Sequence, residues 1–397
     1  MIHTTARIFQ VVGILGCLSS SIYYLICLWS ALLFLREHKA GEGARPTQGL
    51  PPVSILKPLK GTDPDIYECF RSHCLQDYPE YEIVFGVSDA DDPAVASVQQ
   101  LKREFPGHAI RLVVSPDPLG ANVKVSNLEH MAQAACYQHL LVNDSDILVE
   151  RDYLRRVVAP LVDERVGMVT CLYRGIAAST LGSQLESLGI STDFCPGVLV
   201  ARQLEGGLRF GLGSTLAFRR TDLERIGGFR SIVDFLADDY ELGRRIANLD
   251  LQVLLSEVVV ETHLPAYDLR EFLSHQLRWA RGVRDSRVGG YIGLASTYGL
   301  MWALIALLAG RAAPWSWAVF GATALLRLAM AISVGQSVLG DRRLLGHLWL
   351  LPVRDLVAVA VWIASFAGHT VTWRGDRFKL KNGRLVRMDP QSRLAAR

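Results

Sequence analysis

The chain has 397 residues, room for a catalytic domain with accessory segments, and half of its residues are hydrophobic. A mean hydropathy of +0.21 is high for a water-soluble protein and points to membrane segments. A formal net charge of only +3 argues against a nucleic-acid binder, and seven scattered cysteines without a CxxC pair or a cysteine–histidine cluster argue against a disulfide scaffold or a zinc site.

In chain order, the first element is an uncharged stretch, residues 8–35, long enough to cross a bilayer as a helix. It is long for a signal peptide, and no small-residue cleavage site follows it. Arg36, His38 and Lys39 come next, so the positive-inside rule places the N-terminus outside and the following region in the cytoplasm. Residues 1–39 therefore read as a transmembrane anchor, and residues 40–51, with glycine, proline and glutamine, as a linker.

Residues 52–288 read as a cytoplasmic α/β domain. The β-rich runs "PVSILKPL", "YEIVFGVSD", "IRLVVSP", "HLLVNDSD" and "GMVTCLY" alternate with helical patterns such as 93–104 and 124–138. That alternation predicts a mostly parallel sheet flanked by helices, with ligands beyond the carboxyl ends of the strands. Asp89, Asp91 and Asp92 follow one predicted strand, and Asp144 and Asp146 follow another, so both acidic groups face one rim. Residues 181–200 read either as an interfacial segment or as a core helix with its loop.

Apolar runs return at 289–310, 315–335 and 344–372, giving a C-terminal transmembrane region over 289–373. Pro352, Arg354 and Asp355 interrupt the last run, which predicts an interfacial helix to about 352 and a short span from about 356. The basic tail 374–397 prefers the cytoplasm, whereas three complete spans would place it outside, so charge and span count disagree.

The Asp-Ser-Asp at 144–146 has two readings. It is a polar turn whose carboxylates accept backbone N–H groups, or a pair neutralised by a divalent cation. Carboxylate oxygens suit Mg2+ or Mn2+, which commonly also take phosphate oxygens of a substrate.

Six segments carry a resemblance: "VSDADDPA" (87–94), "GANVKVSNL" (120–128), "NDSDILV" (143–149), "GSTLAFRRTDLERIGGF" (213–229), "LADDYELGRRI" (236–246) and "HQLRWAR" (275–281). Their order resembles that in the ceramide glucosyltransferase-like family of inverting GT-A glycosyltransferases, which includes bacterial hopanoid-associated lipid glycosyltransferases. The resemblance covers nearly the whole chain, and "VTCLYRG" (169–175) is similar to the hopanoid branch. It implies a GT-A-type sheet, a UDP-sugar donor, a lipid acceptor (ceramide or a hopanoid), a bound Mg2+ or Mn2+, and a bacterial inner-membrane protein with a cytoplasmic catalytic domain.

The resemblance also implies roles. Asp92 matches the family aspartate that contacts the nucleotide, while Asp89 and Asp91 read as a solvated turn. Asp144 and Asp146 are expected to share the metal and the donor diphosphate. Lys124 neutralises phosphate or is an exposed loop lysine. Asp239 matches the base that takes the acceptor hydroxyl's proton, on the face opposite the leaving UDP. Asp238 stands where the family usually has glutamate and belongs to the donor side. The competing reading for this acidic pair is a helix N-terminus favoured by the macrodipole.

Arg278 is expected to stabilise the leaving diphosphate. Trp279 packs beside acceptor or donor, or anchors an amphipathic helix at the interface. His275 and Gln276 form the acceptor side, and His275 departs from the Gln or Arg usual at its position. His263 reads as a structural histidine near a strand end, with metal ligation as the alternative.

Three functions are weighed. A single transfer moves glucose to ceramide or N-acetylglucosamine to bacteriohopanetetrol. A processive polysaccharide synthase needs a translocation path that the few spans and His275 disfavour. An inactive membrane scaffold conflicts with intact acids in all three motifs. A dehydrogenase is weaker still, because no GxGxxG follows the first predicted strand.

Overall fold

The computed structural model describes residues 2–41, 49–373 and 376–388. Most of the expected linker and the end of the basic tail lie outside the described residues. The chain divides into two compact units. One comprises residues 41–179, 204–266 and 372–397, and the other residues 1–40, 180–203 and 267–371. Residues 180–203 and 267–288, placed with the α/β domain on composition, thus group with the apolar helices.

The strands are β1 (Val53–Pro58), β2 (Tyr81–Val87), β3 (Ala109–Val114), β4 (His139–Val142), β5 (Ile147–Leu148), β6 (Val166–Ile176), β7 (Leu216–Arg219) and β8 (Gln252–His263). Three more follow: β9 (Thr370–Trp373), β10 (Asp376–Lys381) and β11 (Arg384–Arg387). The helices begin with α1 (Ile2–Gly41), α2 (Ile66–Cys74), α3 (Ala94–Glu104), α4 (Val123–Ala134), α5 (Tyr153–Val158), α6 (Leu181–Gly189) and α7 (Cys195–Leu204). They continue with α8 (Arg220–Arg225), α9 (Asp238–Ala247), α10 (Leu269–Ser286), α11 (Val288–Gly293), α12 (Gly299–Ala309), α13 (Pro314–Ile332), α14 (Leu344–His347) and α15 (Leu351–Ser365).

The sheet unit bears out the expected mostly parallel architecture. Its eight strands run in the order β3-β2-β1-β4-β7-β6-β8-β5. β1 pairs in parallel with β2 and β4, and β2 with β3. β7 enters antiparallel between β4 and β6, a reversal that the short run Leu216–Arg219 does not announce. β1 is buried along its whole length, as a strand covered on both faces must be, and reads as one apolar run interrupted by Lys57. β3 is the partly exposed edge. Because β1, β2 and β4 run in parallel, the aspartates after β2 and β4 lie at one rim, as expected. All seven cysteines are free and only Cys136 is exposed, consistent with structural thiols.

Residues 376–388 are not a free basic tail. β10 and β11 form an antiparallel hairpin whose backbone meets the 234–236 loop: Leu236 N–H donates to Gly383 O at 3.0 Å and Leu385 N–H to Asp234 O at 2.6 Å. Arg384 and Arg245 both lie over the Phe235 ring, at 5.1 and 5.5 Å.

Among the described residues of the helical unit, three helical segments are long and apolar enough to cross a membrane: Thr5–Glu37, Pro314–Val338 and Leu344–Ser365. The run 289–310, expected as one span, falls in two helical pieces, Val288–Thr297 and Gly299–Ala309, bent by 51°. The third segment corrects the expectation of a break near Pro352. Proline sits in the first turn of α15, where its missing N–H costs nothing. Arg354 and Asp355 stay inside the helix because their charges are paired. The Arg327 guanidinium donates to both Asp355 oxygens, at 3.1 and 2.7 Å, and to Asp193 Oδ1 at 2.6 Å. Arg354 reaches Asp193 Oδ2 at 3.2 Å. Buried charges persist in an apolar bundle when paired in this way.

Candidate active site

The site begins where β4 ends. Asn143 is fully buried, and its amide donates to Tyr153 OH at 2.9 Å and Ser214 O at 2.6 Å, fixing the chain as it leaves the sheet. Below the turn lies Lys57, also fully buried. Its ammonium donates to Asp144 O at 3.1 Å and faces His73 Nε2 at 3.5 Å. Burial pulls the Lys57 pKa down to about 8, against the opposing charges of Asp146, Asp144 and Asp63. Ser145 donates its hydroxyl to Asp63. No sequence motif singles out Lys57, although a lysine inside an apolar strand is itself a signal that a buried counter-charge lies nearby.

Asp144 points its carboxylate at Lys124, with Nζ 2.8 Å from Oδ1, and the same ammonium lies 3.2 Å from Asp238 Oδ2. Lys124 is therefore a half-buried bridge between two acidic segments, not an exposed loop lysine. Burial opposes its charge, but Asp144, Asp238 and Asp239 outweigh that cost and raise its pKa. Asn122 caps α4 by accepting from Val125 N–H at 3.2 Å and donates to Phe235 O at 2.8 Å, joining this loop to the one before α9.

Asp238 and Asp239 open α9, as the helix-terminus reading has it. Asp239 Oδ2 accepts from Gly213 N–H and Oδ1 from its neighbour Tyr240 N–H, each at 2.8 Å. Burial, with the charge of Asp238, pushes the Asp239 pKa up to about 6 despite Lys124. A side chain at Gly213 would meet Asp144 Oδ2 at 3.1 Å and Asp239 Oδ2 at 3.2 Å, so the two acids border one glycine. Gly243 explains how the 210–213 loop gets there: a Cβ at 243 would lie 2.1 Å from Gly211 N. Gly243→Ala is expected to displace that loop, costing about 1–3 kcal/mol and lowering catalysis as Asp239 loses its tether. Thermal unfolding and turnover check this, and an unchanged variant would show that the close approach does not place Asp239.

Asp146 accepts from the Thr262 hydroxyl at 2.6 Å. Burial, and then the Asp144 charge, push its pKa up to about 6. Among the described residues no three His, Cys, Asp or Glu side chains form a ready metal-ligand group. Asp144 and Asp146 alone fit a divalent cation that takes its remaining oxygens from a ligand or water, and such a charge would relieve their repulsion. His263 has Nδ1 2.8 Å from Asp65 Oδ2, a contact that agrees with the structural reading.

Asp92 has partners of its own. Its carboxylate accepts from Gly61 N–H at 2.9 and 3.1 Å and from Ala94 N–H at 2.9 Å, at the start of α3. It also lines a cavity of about 360 Å³ with Lys60, Ser88, Asp89, Asp91 and Pro116. Asp89 and Asp91 are exposed there in a local turn, Asp91 N–H donating to Asp89 Oδ1 at 3.0 Å.

The remaining expected residues lie on α10 in the helical unit. This helix begins with a capping box between Asp268 and Glu271. Arg278 and Trp279 are half-buried. Trp279 has the His275 ring at 5.4 Å and Phe194 at 6.0 Å. A second residue that no sequence motif discloses is Glu186 on α6. It is buried, accepts from the Gln276 amide at 2.7 Å and faces His275 Nδ1 at 3.4 Å.

The family model described as Glycosyl transferase family 21 matches residues 12–386. Ceramide glucosyltransferase 1 of Caenorhabditis elegans is 22% identical over 97% of this chain and 83% of its own length. Ceramide glucosyltransferase of Komagataella phaffii is 33% identical over 35% of this chain and 29% of its own length. Among solved structures, a mannosyltransferase from Pyrobaculum calidifontis, in complex with GDP-Man and Mn2+, superposes with a TM-score of 0.54 and 21% identity. That superposition covers 90% of this chain and 98% of the other, and it supports the GT-A-type fold. With a family match over nearly its whole length, the chain belongs to glycosyl transferase family 21.

Proposed function

We propose that the protein is a membrane-bound inverting glycosyltransferase that moves one sugar from a UDP-sugar to a lipid hydroxyl, as ceramide glucosyltransferases do with glucose and ceramide. The observation that carries this reading is Asp239, a tethered carboxyl with a pKa of about 6 bordering the same glycine as Asp144. A general base tuned toward neutrality suits removal of a hydroxyl proton. In this reading Asp92 and the cavity beside it hold the nucleoside, and Asp144 and Asp146 hold Mg2+ or Mn2+. A bound cation would neutralise the donor diphosphate. Lys124 keeps the acids of β4 and α9 in register and stands ready to balance phosphate charge. Arg278 stabilises the departing diphosphate, and Trp279 with His275 and Gln276 serves the acceptor.

Purified protein given labelled UDP-glucose and UDP-N-acetylglucosamine, each with ceramide or bacteriohopanetetrol, tests the reading. A glucosylceramide product, identified by mass, is the expected result. N-acetylglucosaminyl hopanoid would select the other lipid, a polymer would select a processive synthase, and no product from any pair would leave the scaffold reading.

We also infer that the sheet unit faces the cytoplasm of a bacterial inner membrane, from Arg36 and Lys39, which follow the uncharged stretch 8–35. An engineered thiol at Ser97 is expected to resist an impermeant reagent in intact cells. Labelling from outside would reverse the orientation.

A further inference from the structure

Glu186 and His275 form a pair whose chemistry the proposed transfer does not by itself require. Glu186 is only 2% exposed, and the side chains that meet it come from α10: Gln276 Nε2 at 2.7 Å and His275 Nδ1 at 3.4 Å. Burial pushes its pKa up, but His275, Arg354 and Gln276 more than compensate, and the carboxyl is held below its ordinary range. The carboxylate comes within 3.4 Å of Nδ1 without a formed hydrogen bond, and its negative charge favours the tautomer that carries its hydrogen there. In the neutral ring Nε2 then presents its lone pair. Nδ1 is buried while the side chain keeps 20% of its surface exposed, so the exposed surface lies elsewhere on the side chain, where Nε2 is the remaining polar atom. The ring is also held by stacking: Tyr267 lies at 5.4 Å and 25°, and Trp279 at 5.4 Å and 46°. A fixed acceptor atom flanked by two aromatic rings suits a polar hydroxyl attached to an apolar body.

We propose that the Glu186–His275 pair is a hydroxyl-binding site for the head of the acceptor lipid. Nε2 accepts a hydrogen bond from that hydroxyl, while Tyr267 and Trp279 pack against adjoining carbon. Glu186 is a positioning residue that acts through the imidazole. This inference rests on the lipid-acceptor reading above. It adds a defined recognition contact, made in the helical unit, that distinguishes a hydroxylated lipid from its deoxy counterpart.

The test measures binding to the full chain in phosphatidylcholine nanodiscs, using ceramide against 1-deoxyceramide and bacteriohopanetetrol against a hopanoid lacking the polyol. Wild type is expected to prefer the hydroxylated member of one pair by about 3–10-fold, the usual worth of one hydrogen bond. His275→Phe keeps an aromatic ring against Tyr267 and Trp279 but removes the acceptor atom, and should bring that ratio to about one. Glu186→Gln, which can still meet Gln276, should lower the ratio without abolishing binding of the deoxy lipid. UDP affinity should stay unchanged in both variants, which also reports that they are folded.

If wild type binds and glycosylates a hydroxylated lipid while both variants keep the full preference, the hydroxyl site is overturned and the transferase reading stands. The hydroxyl site is equally overturned if both members of a pair weaken in parallel, because a structural tie between α6 and α10 would do that. If wild type binds no hydroxylated lipid and transfers sugar to none, both inferences fall together.

Discussion

Asp239→Asn is expected to lower sugar transfer to lipid about 10²–10⁴-fold, the contribution of a positioned general base, with donor affinity nearly unchanged. The amide keeps an oxygen for the Gly213 N–H, which donates to Asp239 Oδ2 at 2.8 Å, so the site should hold its shape while losing the proton acceptor. The pH profile separates this loss from simple disruption. The folded Asp239 pKa of about 6 means that the competent carboxylate forms as pH rises through that value. In wild type kcat/KM should climb through about pH 6 and level off, and in the Asn variant that limb should disappear. Stability runs the opposite way. A carboxyl whose folded pKa is raised binds its proton more tightly in the folded state. Its favourable contribution is present below the unfolded value near 4 and declines as pH rises toward 6. The Asn variant should therefore lose less thermal stability than wild type between these values. Near-normal turnover in Asp239→Asn, with the inverted anomer still formed, would pass the role of base to Asp238.

The second large effect concerns the metal. Chelation with EDTA should abolish transfer, and Mn2+ or Mg2+ should restore it. Asp144→Ala should cut turnover about 10²–10³-fold, the scale on which lost electrostatic stabilisation of a leaving group is felt. It should also weaken Mn2+ binding in the presence of UDP, followed by electron paramagnetic resonance. The fold should survive, because Lys124 keeps Asp238 as a partner at 3.2 Å and Lys57 holds the Asp144 backbone rather than its side chain. Full activity in exhaustively chelated protein would sink the metal assignment. Unaltered Mn2+ binding by Asp144→Ala would move the site away from this carboxylate.

The sequence by itself determined the parts of this protein that depend on neighbours in the chain. Mostly apolar runs at β1, β2 and β4 are strands because burial on both faces demands hydrophobic side chains, with Ser54, Lys57 and Glu82 the polar exceptions in β1 and β2, and the acids that follow β2 and β4 emerge at the rim where parallel strands end. The long uncharged stretch of α1 announces a membrane-length helix in the same local way. Tertiary structure decided the rest, because those features depend on residues far apart in sequence. Sequence leaves Lys124 open between a phosphate neutraliser and a loop lysine until α9 brings Asp238 against it, and it marks Asp239 as a base only by resemblance, whereas the tether to the 210–213 loop, admitted by the glycine at 243, is visible only in the fold. Arg354 and Asp355 look like an interruption of an apolar helix, and become tolerable there once Asp193 and Arg327 supply opposite charge. Glu186 gives no local sign of function, because a buried carboxylate takes its meaning from its partners, and His275 and Gln276 lie about ninety residues away. Local pattern records where water is excluded. Which charges meet in the excluded space is settled only when the distant segments pack.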